Sequence, residues 1–290
     1  MTAPPGAPPQ TLRGILLIIA AVSTFAVMDT TAKYLSHTYP VPAVAWARYA
    51  AQVLFMLAVL GPRLKLDLLR SRRPGLQIIR GVVLAVSTMF FFSALSFMPI
   101  AEAVAITFLS PLLLTAMSVA LLKERVRRSA WLALGAGFVG VLFIIRPGGD
   151  VFTVAAVLPV LTAVCFASYQ LLTRRLAGVD ATMTTLFYGA IVGTVLLALP
   201  LPFFWKPPES ALHGLLFAVL GVLGAVGHFV LIRAFEHASP AVLAPFVYAQ
   251  LVAILILGQV VFGEFPDGWS LFGMAIIVLS GAWIAARQAR

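Results

Sequence analysis

Charged residues are scarce in this chain of 290 residues. Asp, Glu, Lys and Arg together make up 10% of the sequence, against roughly 25% in a typical soluble domain. Hydrophobic residues make up 61% of the sequence, and its mean hydropathy is +1.03. So few charges cannot cover the surface of a water-soluble fold. The composition therefore excludes a soluble domain and predicts an integral membrane protein.

Cysteine is nearly absent, and the motifs of common enzymes are missing. The single cysteine, Cys165, excludes an intramolecular disulfide. The chain contains no G-x-S-x-G, no H-E-x-x-H and no P-loop. We therefore expect neither an enzyme nor an ATP-driven pump, and no metal or cofactor. An intramembrane enzyme is kept as a remote alternative.

Acidic residues are also few, so that the formal net charge is +10. A basic excess of this kind can indicate nucleic-acid binding, but here its distribution follows membrane topology. If the N-terminus is cytoplasmic, 16 of the 20 Lys and Arg residues lie on the cytoplasmic side. The positive-inside rule then predicts a multi-pass protein of the cell (inner) membrane with both termini in the cytoplasm. Its macromolecular surroundings are the lipid bilayer and not nucleic acid.

Ten apolar runs have about the length of 20 residues that a helix needs to cross a bilayer. They lie at residues 14–34, 43–60, 76–97, 101–122, 129–145, 152–173, 183–204, 211–235, 241–262 and 268–286. The sequence therefore predicts an all-α integral membrane protein with ten transmembrane helices. The Pro-rich residues 1–13 are predicted to be a disordered cytoplasmic N-terminus.

The ten runs divide into two groups of five. A shift of 140 residues places "SALSFMPIAEAVAITFLSPL" (93–112) over "RAFEHASPAVLAPFVYAQLV" (233–252), and a shift of 142 places Lys33 on Arg175. Because five is odd, the second copy enters the membrane from the opposite side. Inverted repeats of this kind are typical of alternating-access transporters. We predict a first repeat over 14–146 and a second over 152–286.

Two stretches carry a resemblance to a known family. The first is "AEAVAITFLSPLLLTAMSVALLKERV" followed by "GFVGVLFIIRPGG", and the second is "HASPAVLAPFVYAQLVAILILGQVVFGE". They resemble the two repeats of EamA-type members of the drug/metabolite transporter superfamily. The resemblance implies ten helices and carrier-type export of small metabolites. The overall pattern is similar to that of the exporters of aromatic and other apolar amino acids.

Ionisable side chains inside apolar runs need a partner or a water-filled cavity. Asp29 has three interpretations: a pair with Lys33 four residues on, a pair with Arg48 in the next helix, or a place in the substrate cavity. Lys33 lies near a helix end, from which its long side chain is predicted to reach water. Glu102 is predicted to suit the start of the fourth helix through the helix dipole. The residues predicted as framework charges are Lys33, Arg48, Glu124, Arg175 and Glu264.

Polar and aromatic residues in the runs are the remaining candidates for the cavity. Histidine 228 is the only histidine well inside a run, and it is either a hydrogen-bonded core residue or a cavity residue. Pro111 and Pro245 interrupt corresponding helices and are predicted as static kinks or as hinges. The full set predicted to contact substrate or line the cavity is Asp29, Thr88, Phe92, Thr107, Tyr169, Gln170, His228 and Tyr248.

A secondary carrier is the function that these features favour. Its substrate is a small organic metabolite, with apolar and aromatic amino acids first, and a nucleoside, S-adenosylmethionine or a cationic drug as alternatives. A channel is disfavoured because paired inverted halves with Pro-interrupted helices are typical of carriers. The chain is predicted to act as a monomer.

Overall fold

A computed structural model of the chain describes residues 8–64, 68–122, 128–146, 156–176, 179–238, 243 and 246–288. No β-strand occurs among these residues, and the predicted all-α class is confirmed. The helices are α1 (Pro8–Ser36), α2 (Val41–Leu64), α3 (Pro74–Leu95), α4 (Ile100–Thr107), α5 (Ser110–Leu122), α6 (Arg128–Ile145), α7 (Val157–Leu176), α8 (Thr182–Ala198), α9 (Leu201–Phe204), α10 (Ala211–His237), α11 (Ala249–Leu257) and α12 (Gly268–Gln288), with a π-helical turn at Gly258–Phe262.

The helices have the composition of membrane spans. Four of them, within α1, α2, α3 and α10, are long and apolar enough to cross a bilayer alone, and six shorter apolar segments lie in the other predicted runs. Large apolar side chains point outward, among them Leu132, Phe203 and Val260, which are 69%, 85% and 76% exposed. Such side chains are stable on an outer surface when that surface faces lipid. The number of helices that cross the membrane stays a prediction.

Two helix boundaries differ from the sequence prediction. Helix α1 begins at Pro8, so that residues 8–13 are helical and not disordered. The predicted single helix over 101–122 is broken between Thr107 and Ser110, and Pro111 is the second residue of α5. Proline is tolerated there because the first turn of a helix needs no backbone donor. The predicted interruption is therefore present at Pro111, whereas Pro245 lies outside the described residues.

The main helix contacts join the first half of the chain to the second half. Helix α1 packs along α10, α6 along α12, α3 between α7 and α8, and α2 between α8 and α10. Contacts of α1, α2 and α3 with one another are sparse. The interior of the bundle is thus an interface between the two halves.

The helix ends define two faces of the bundle. The face that holds the ends of α1 at Ser36 and α3 at Leu95, and the starts of α2, α4 and α12, is named the distal face. The opposite face, which holds the start of α3 at Pro74, the end of α7 and the start of α8, is named the terminal face because both described chain ends lie there. On the distal face, the π-helical turn is followed by Gly263, whose φ of 69° is in the left-handed region that glycine tolerates. This turn directs the next residue, Glu264, toward α1 and α4.

Candidate functional site

A narrow crevice lies between the two halves, in the middle of the bundle. Helices α2 and α3 contribute residues from the first half, and α7, α8 and α10 contribute residues from the second half. The crevice is lined by Arg48, Tyr49, Gln52, Arg80, Leu84, Tyr169, Leu186, Gly189, Ala190 and His228. At 1.5 Å per residue, Arg48 is about 10 Å from the distal start of α2 and Arg80 about 9 Å from the terminal start of α3.

Arg48 is buried but weakly satisfied. It is 5% exposed, and its guanidinium lies over the ring of Tyr49, 4.6 Å from the centroid. Its Nη1 is 3.5 Å from Thr88 Oγ1, which is long for a hydrogen bond to oxygen, and its Nε is 3.5 Å from Met28 Sδ, a weak acceptor. The hydroxyls of Tyr49 and Thr88 are 2.7 Å apart. Arg48, which the sequence predicts as a framework charge, lies in the wall of the crevice, and its hydrogen bonds to other described residues are weak.

Arg80 is the largest fully buried side chain of the described residues, at 2% exposure. It donates from Nε to Thr173 Oγ1 at 2.8 Å and from Nη2 to the Tyr169 hydroxyl at 2.7 Å. It also donates from Nη1 to the carbonyl of Thr185 at 2.8 Å. All three acceptors are neutral, so the positive charge has hydrogen bonds but no counter-ion among them. From the sequence, Arg80 is interpreted only as a topology charge, although its place inside the apolar run "IIRGVV" is a signal of a buried arginine.

Aromatic rings complete the crevice wall. The guanidinium of Arg80 lies 4.5 Å from the centroid of Tyr169, whose other neighbour is the stacked ring of Phe166 at 5.6 Å. His228 lies 4.9 Å from Phe25, edge to face. His228 makes no hydrogen bond to another described residue, so the hydrogen-bonded core alternative does not hold within that part of the chain. Tyr169 and His228 both line the crevice, and their contact with a substrate stays a prediction.

Asp29 pairs with neither of its two predicted cationic partners. It is 5% exposed, and its Oδ2 accepts a hydrogen bond from Gln250 Nε2 at 3.1 Å. Within the described ranges it forms no ion pair with Lys33 or Arg48. The i,i+4 pair fails because Lys33 is engaged elsewhere. Asp29 therefore remains a buried carboxylate that joins α1 to the first turn of α11 through a neutral amide.

Lys33 forms the central ion pair of the distal face. Its Nζ lies 2.6 Å from both carboxylate oxygens of Glu264 and 3.0 Å from the carbonyl of Met98. Glu264 also accepts from the backbone N–H of Ile100 at 3.2 Å. The prediction that Lys33 reaches water was wrong, because the residue is only 2% exposed. The pair instead joins α1, the start of α4 and the π-helical turn.

Two further contacts tie α12 to the first half at the same face. Glu102 lies buried in the first turn of α4, as its predicted dipole role requires, and its Oε1 accepts from the hydroxyl of Ser270 at 2.8 Å. Arg146 forms a salt bridge with Asp267. The N–H of Ser270 donates to Asp267 and, with Arg146, holds the pKa of that carboxyl below its ordinary value. The distal face is therefore closed by charges from both halves.

The remaining predicted residues lie away from the crevice. The hydroxyl of Thr107 donates to its own helix, Phe92 is buried in the apolar core, and Gln170 is half-buried on α7. Tyr248 packs edge to face on Phe108 at 5.1 Å, next to Gly281. Thr88 contacts the crevice only through Tyr49 and Arg48. Arg175 is exposed, and Glu124 lies outside the described residues. In the described part of the chain, no group of His, Cys, Asp or Glu side chains could hold a metal ion.

The terminal face carries a hydrogen-bonded carboxylate, Asp180, in the loop before α8. Its oxygens accept from the hydroxyl of Ser71, from the N–H of Arg72 at 2.8 Å and from Gln77 Nε2 at 2.8 Å. Although partial burial acts to raise the pKa of Asp180, the bonds from Ser71, Gln77 and Arg72 outweigh it and lower that pKa. The carboxylate thus fastens the loop before α8 to the start of α3.

Replacing Asp180 with asparagine is expected to lower the free energy of unfolding by about 1 kcal/mol at neutral pH, because charge-assisted bonds are lost. Since the folded pKa is depressed, this stabilisation is complete above the unfolded value and is lost as pH falls through the folded one. Thermal unfolding of both proteins between pH 7 and pH 3 checks this. The gap between their Tm values should close in acid, and a gap that stays constant contradicts the assignment.

Comparisons with known proteins agree with this architecture. The model of the EamA-like transporter family matches residues 12–146 and again residues 153–286. The chain is 32% identical over 279 residues to a riboflavin transporter of Vibrio cholerae, covering 94% of this chain and 93% of that one. It is 28% identical to an S-adenosylmethionine uptake transporter of Rickettsia prowazekii, with coverages of 92% and 90%. It is 31% identical to a pseudopaline exporter of Pseudomonas aeruginosa, with coverages of 92% and 94%.

A solved structure shares the fold. The match covers 97% of this chain and 99% of the chain in that structure, with a TM-score of 0.67 and 21% sequence identity.

Proposed function

Because the chain belongs to the EamA-like transporter family, we propose that it is an alternating-access carrier with its substrate site in the crevice between the two halves. The family is one of membrane transporters and not of enzymes. The observation that carries the proposal is the place of the crevice: both halves line it, and its lining includes Arg48, Arg80 and His228. A rearrangement of one half against the other changes access to such a site.

The distal charges supply one gate of this carrier. Lys33–Glu264, Glu102–Ser270 and Arg146–Asp267 each join residues of the first half to residues of the second. Opening of the distal face requires that these contacts separate. The conformation described is therefore closed at the distal face in the proposed cycle.

The cargo we propose is an apolar or aromatic amino acid, carried outward. The free amino acid needs one group for its ammonium and one for its carboxylate, and the buried Asp29 and Arg48 supply opposite charges on adjacent helices. S-adenosylmethionine is the second candidate, because it also carries an amino-acid head group and a relative is named as its uptake transporter. Export is proposed because the sequence pattern is similar to that of amino-acid exporters and because one relative is named as an exporter.

Both termini are proposed to be cytoplasmic, with the distal face outside. Reporter fusions after residue 290 test this, because an extracytoplasmic C-terminus is incompatible with an even number of spans and a cytoplasmic N-terminus.

Counterflow in proteoliposomes tests the carrier and its cargo. Vesicles loaded with unlabelled L-phenylalanine, L-leucine or S-adenosylmethionine are expected to accumulate the labelled form of the same solute transiently and saturably. Asp29→Asn is expected to lower the rate at least about tenfold if Asp29 holds the ammonium, since a charge-assisted bond is lost. Glu236→Gln, in an exposed pair with Arg233, is the matched control. Flux that rises linearly with concentration contradicts a carrier, and an unchanged Asp29→Asn rate removes Asp29 from the site.

A further inference from the structure

We propose that the crevice binds an oxyanion group of the transported solute, a carboxylate or a phosphate, with Arg48 as its direct contact. This inference rests on the proposed function, because it assigns the substrate class of the same site. Neither the family nor the relatives' names state which groups of this chain contact a substrate.

The charge balance of the interior is the first argument. Arg48 and Arg80 are 5% and 2% exposed, and neither forms an ion pair with a carboxylate in the described ranges. Of the buried carboxylates in that part of the chain, Glu102 is bound to Ser270 at the distal face, and Asp29 is the one that interacts electrostatically with Arg48. The single negative charge of Asp29 cannot balance the positive charges of both arginines, so the crevice keeps a net positive charge. Burying an uncompensated charge is costly, so an anionic ligand group stabilises the site.

The guanidinium groups of Arg80 and Arg48 differ in how fully they are hydrogen-bonded. The three guanidinium nitrogens of Arg80 donate hydrogen bonds to Thr173, Thr185 and Tyr169 at 2.7–2.8 Å. Within the described residues, Arg48 has two hydrogen-bond contacts at 3.5 Å, one to a thioether and one to a hydroxyl that is already bonded to Tyr49. A guanidinium presents five donors in a planar fork that matches the oxygens of carboxylate and phosphate. Arg48 therefore supplies the hydrogen bonds to the anion, and Arg80 supplies a fixed positive field.

The tyrosine rings fix the geometry of this recognition. The Arg48 guanidinium lies on the ring of Tyr49 and that of Arg80 on the ring of Tyr169. A stacked guanidinium keeps its plane and offers its edge to a ligand, which reduces the entropy lost on binding. The anion is thus expected at the edge of Arg48, on the side of the crevice that faces His228.

Matched pairs of solutes test the inference in detergent-purified full-length protein. The carboxylate arm compares 3-phenylpropionate with its neutral amide, and the phosphate arm compares flavin mononucleotide with riboflavin. In at least one arm, thermal stabilisation should reach its midpoint at a concentration at least about tenfold lower for the anion, as a charge-assisted bond predicts. The arm that shows the preference identifies the source of the oxyanion.

Substitutions of Arg48 then test whether this residue causes the preference for the anionic solute. Arg48→Gln should abolish the anion preference, Arg48→Lys should reduce it because the ammonium lacks the fork, and the exposed Arg233→Gln should leave it unchanged. If Arg48→Gln does not fold, Arg48→Lys decides by the same criterion. Equal binding of anion and neutral partner in both arms, or a preference that survives both Arg48 variants, overturns the inference. Counterflow of amino acids that is indifferent to Arg48→Gln leaves the carrier in place and removes only this assignment. Anion binding at Arg48 without counterflow of any solute keeps this assignment and contradicts the proposed carrier function.

Discussion

Replacing Glu264 with alanine is expected to lower the free energy of unfolding by about 3–5 kcal/mol, because it leaves a buried ammonium without its counter-ion. The side chains of Lys33 and Glu264 are 3% and 29% exposed, so the ammonium is the buried member of the pair. The carbonyl of Met98 remains as one neutral acceptor. The loss should appear in thermal or denaturant unfolding of the purified protein in detergent.

Two comparisons separate this pair from a surface effect. Glu236→Ala removes the carboxylate of an exposed pair with Arg233, and such pairs contribute about 0–1 kcal/mol. The double variant Lys33→Met with Glu264→Leu removes both charges and should recover much of the loss, since apolar replacements of buried pairs are often neutral. A double variant as unstable as Glu264→Ala would falsify the buried-charge explanation.

Replacing Gly140 with alanine is expected to lower the free energy of unfolding by about 1–3 kcal/mol through overpacking. A Cβ at Gly140 would lie 2.7 Å from the carbonyl oxygen of Gly273, and one at Gly273 would lie 2.5 Å from that of Gly140. Helices α6 and α12 therefore approach backbone to backbone at this point, as small residues allow in membrane helices. Because the clash would be with backbone atoms, an added methyl group can be accommodated only if α6 and α12 move apart.

Gly135 provides the matched control in the same helix. A Cβ there would meet nothing within 4 Å, and alanine is favoured over glycine in a helix by about 1 kcal/mol. Gly135→Ala should therefore keep or raise Tm, whereas Gly140→Ala lowers it. Equal shifts in the two variants would mean that α6 and α12 do not rely on this contact.

Local sequence patterns predicted the helices well, because apolar runs and prolines act over a few residues. The break near Pro111 is such a feature, and so is the buried carboxylate of Asp29, which is too short to reach water. Polar groups in apolar helices turn away from lipid. This reasoning selected Tyr169 and His228, which line the crevice, together with Gln170 and Tyr248, which do not.

Partners between distant helices could not be predicted in this way. Glu264 is 231 residues from Lys33, and no local spacing relates them. The internal repeat was misleading at this point, because it equated Lys33 with Arg175, which is exposed. Arg80 was missed because a charge near the start of a run also suits the membrane interface, and only packing against α7 and α8 distinguishes the two.

The separation of Lys33 from Glu264 along the chain has a consequence for biosynthesis. At a synthesis rate of about 5–20 residues per second, Glu264 is made roughly 10–50 s after Lys33. During that interval the Lys33 ammonium lacks the Glu264 carboxylate that binds it in the folded protein, and Asp29 of the same helix does not pair with it. The nascent first half must keep this end of α1 hydrated until the last two helices arrive, so the final burial of Lys33 is a late event of assembly.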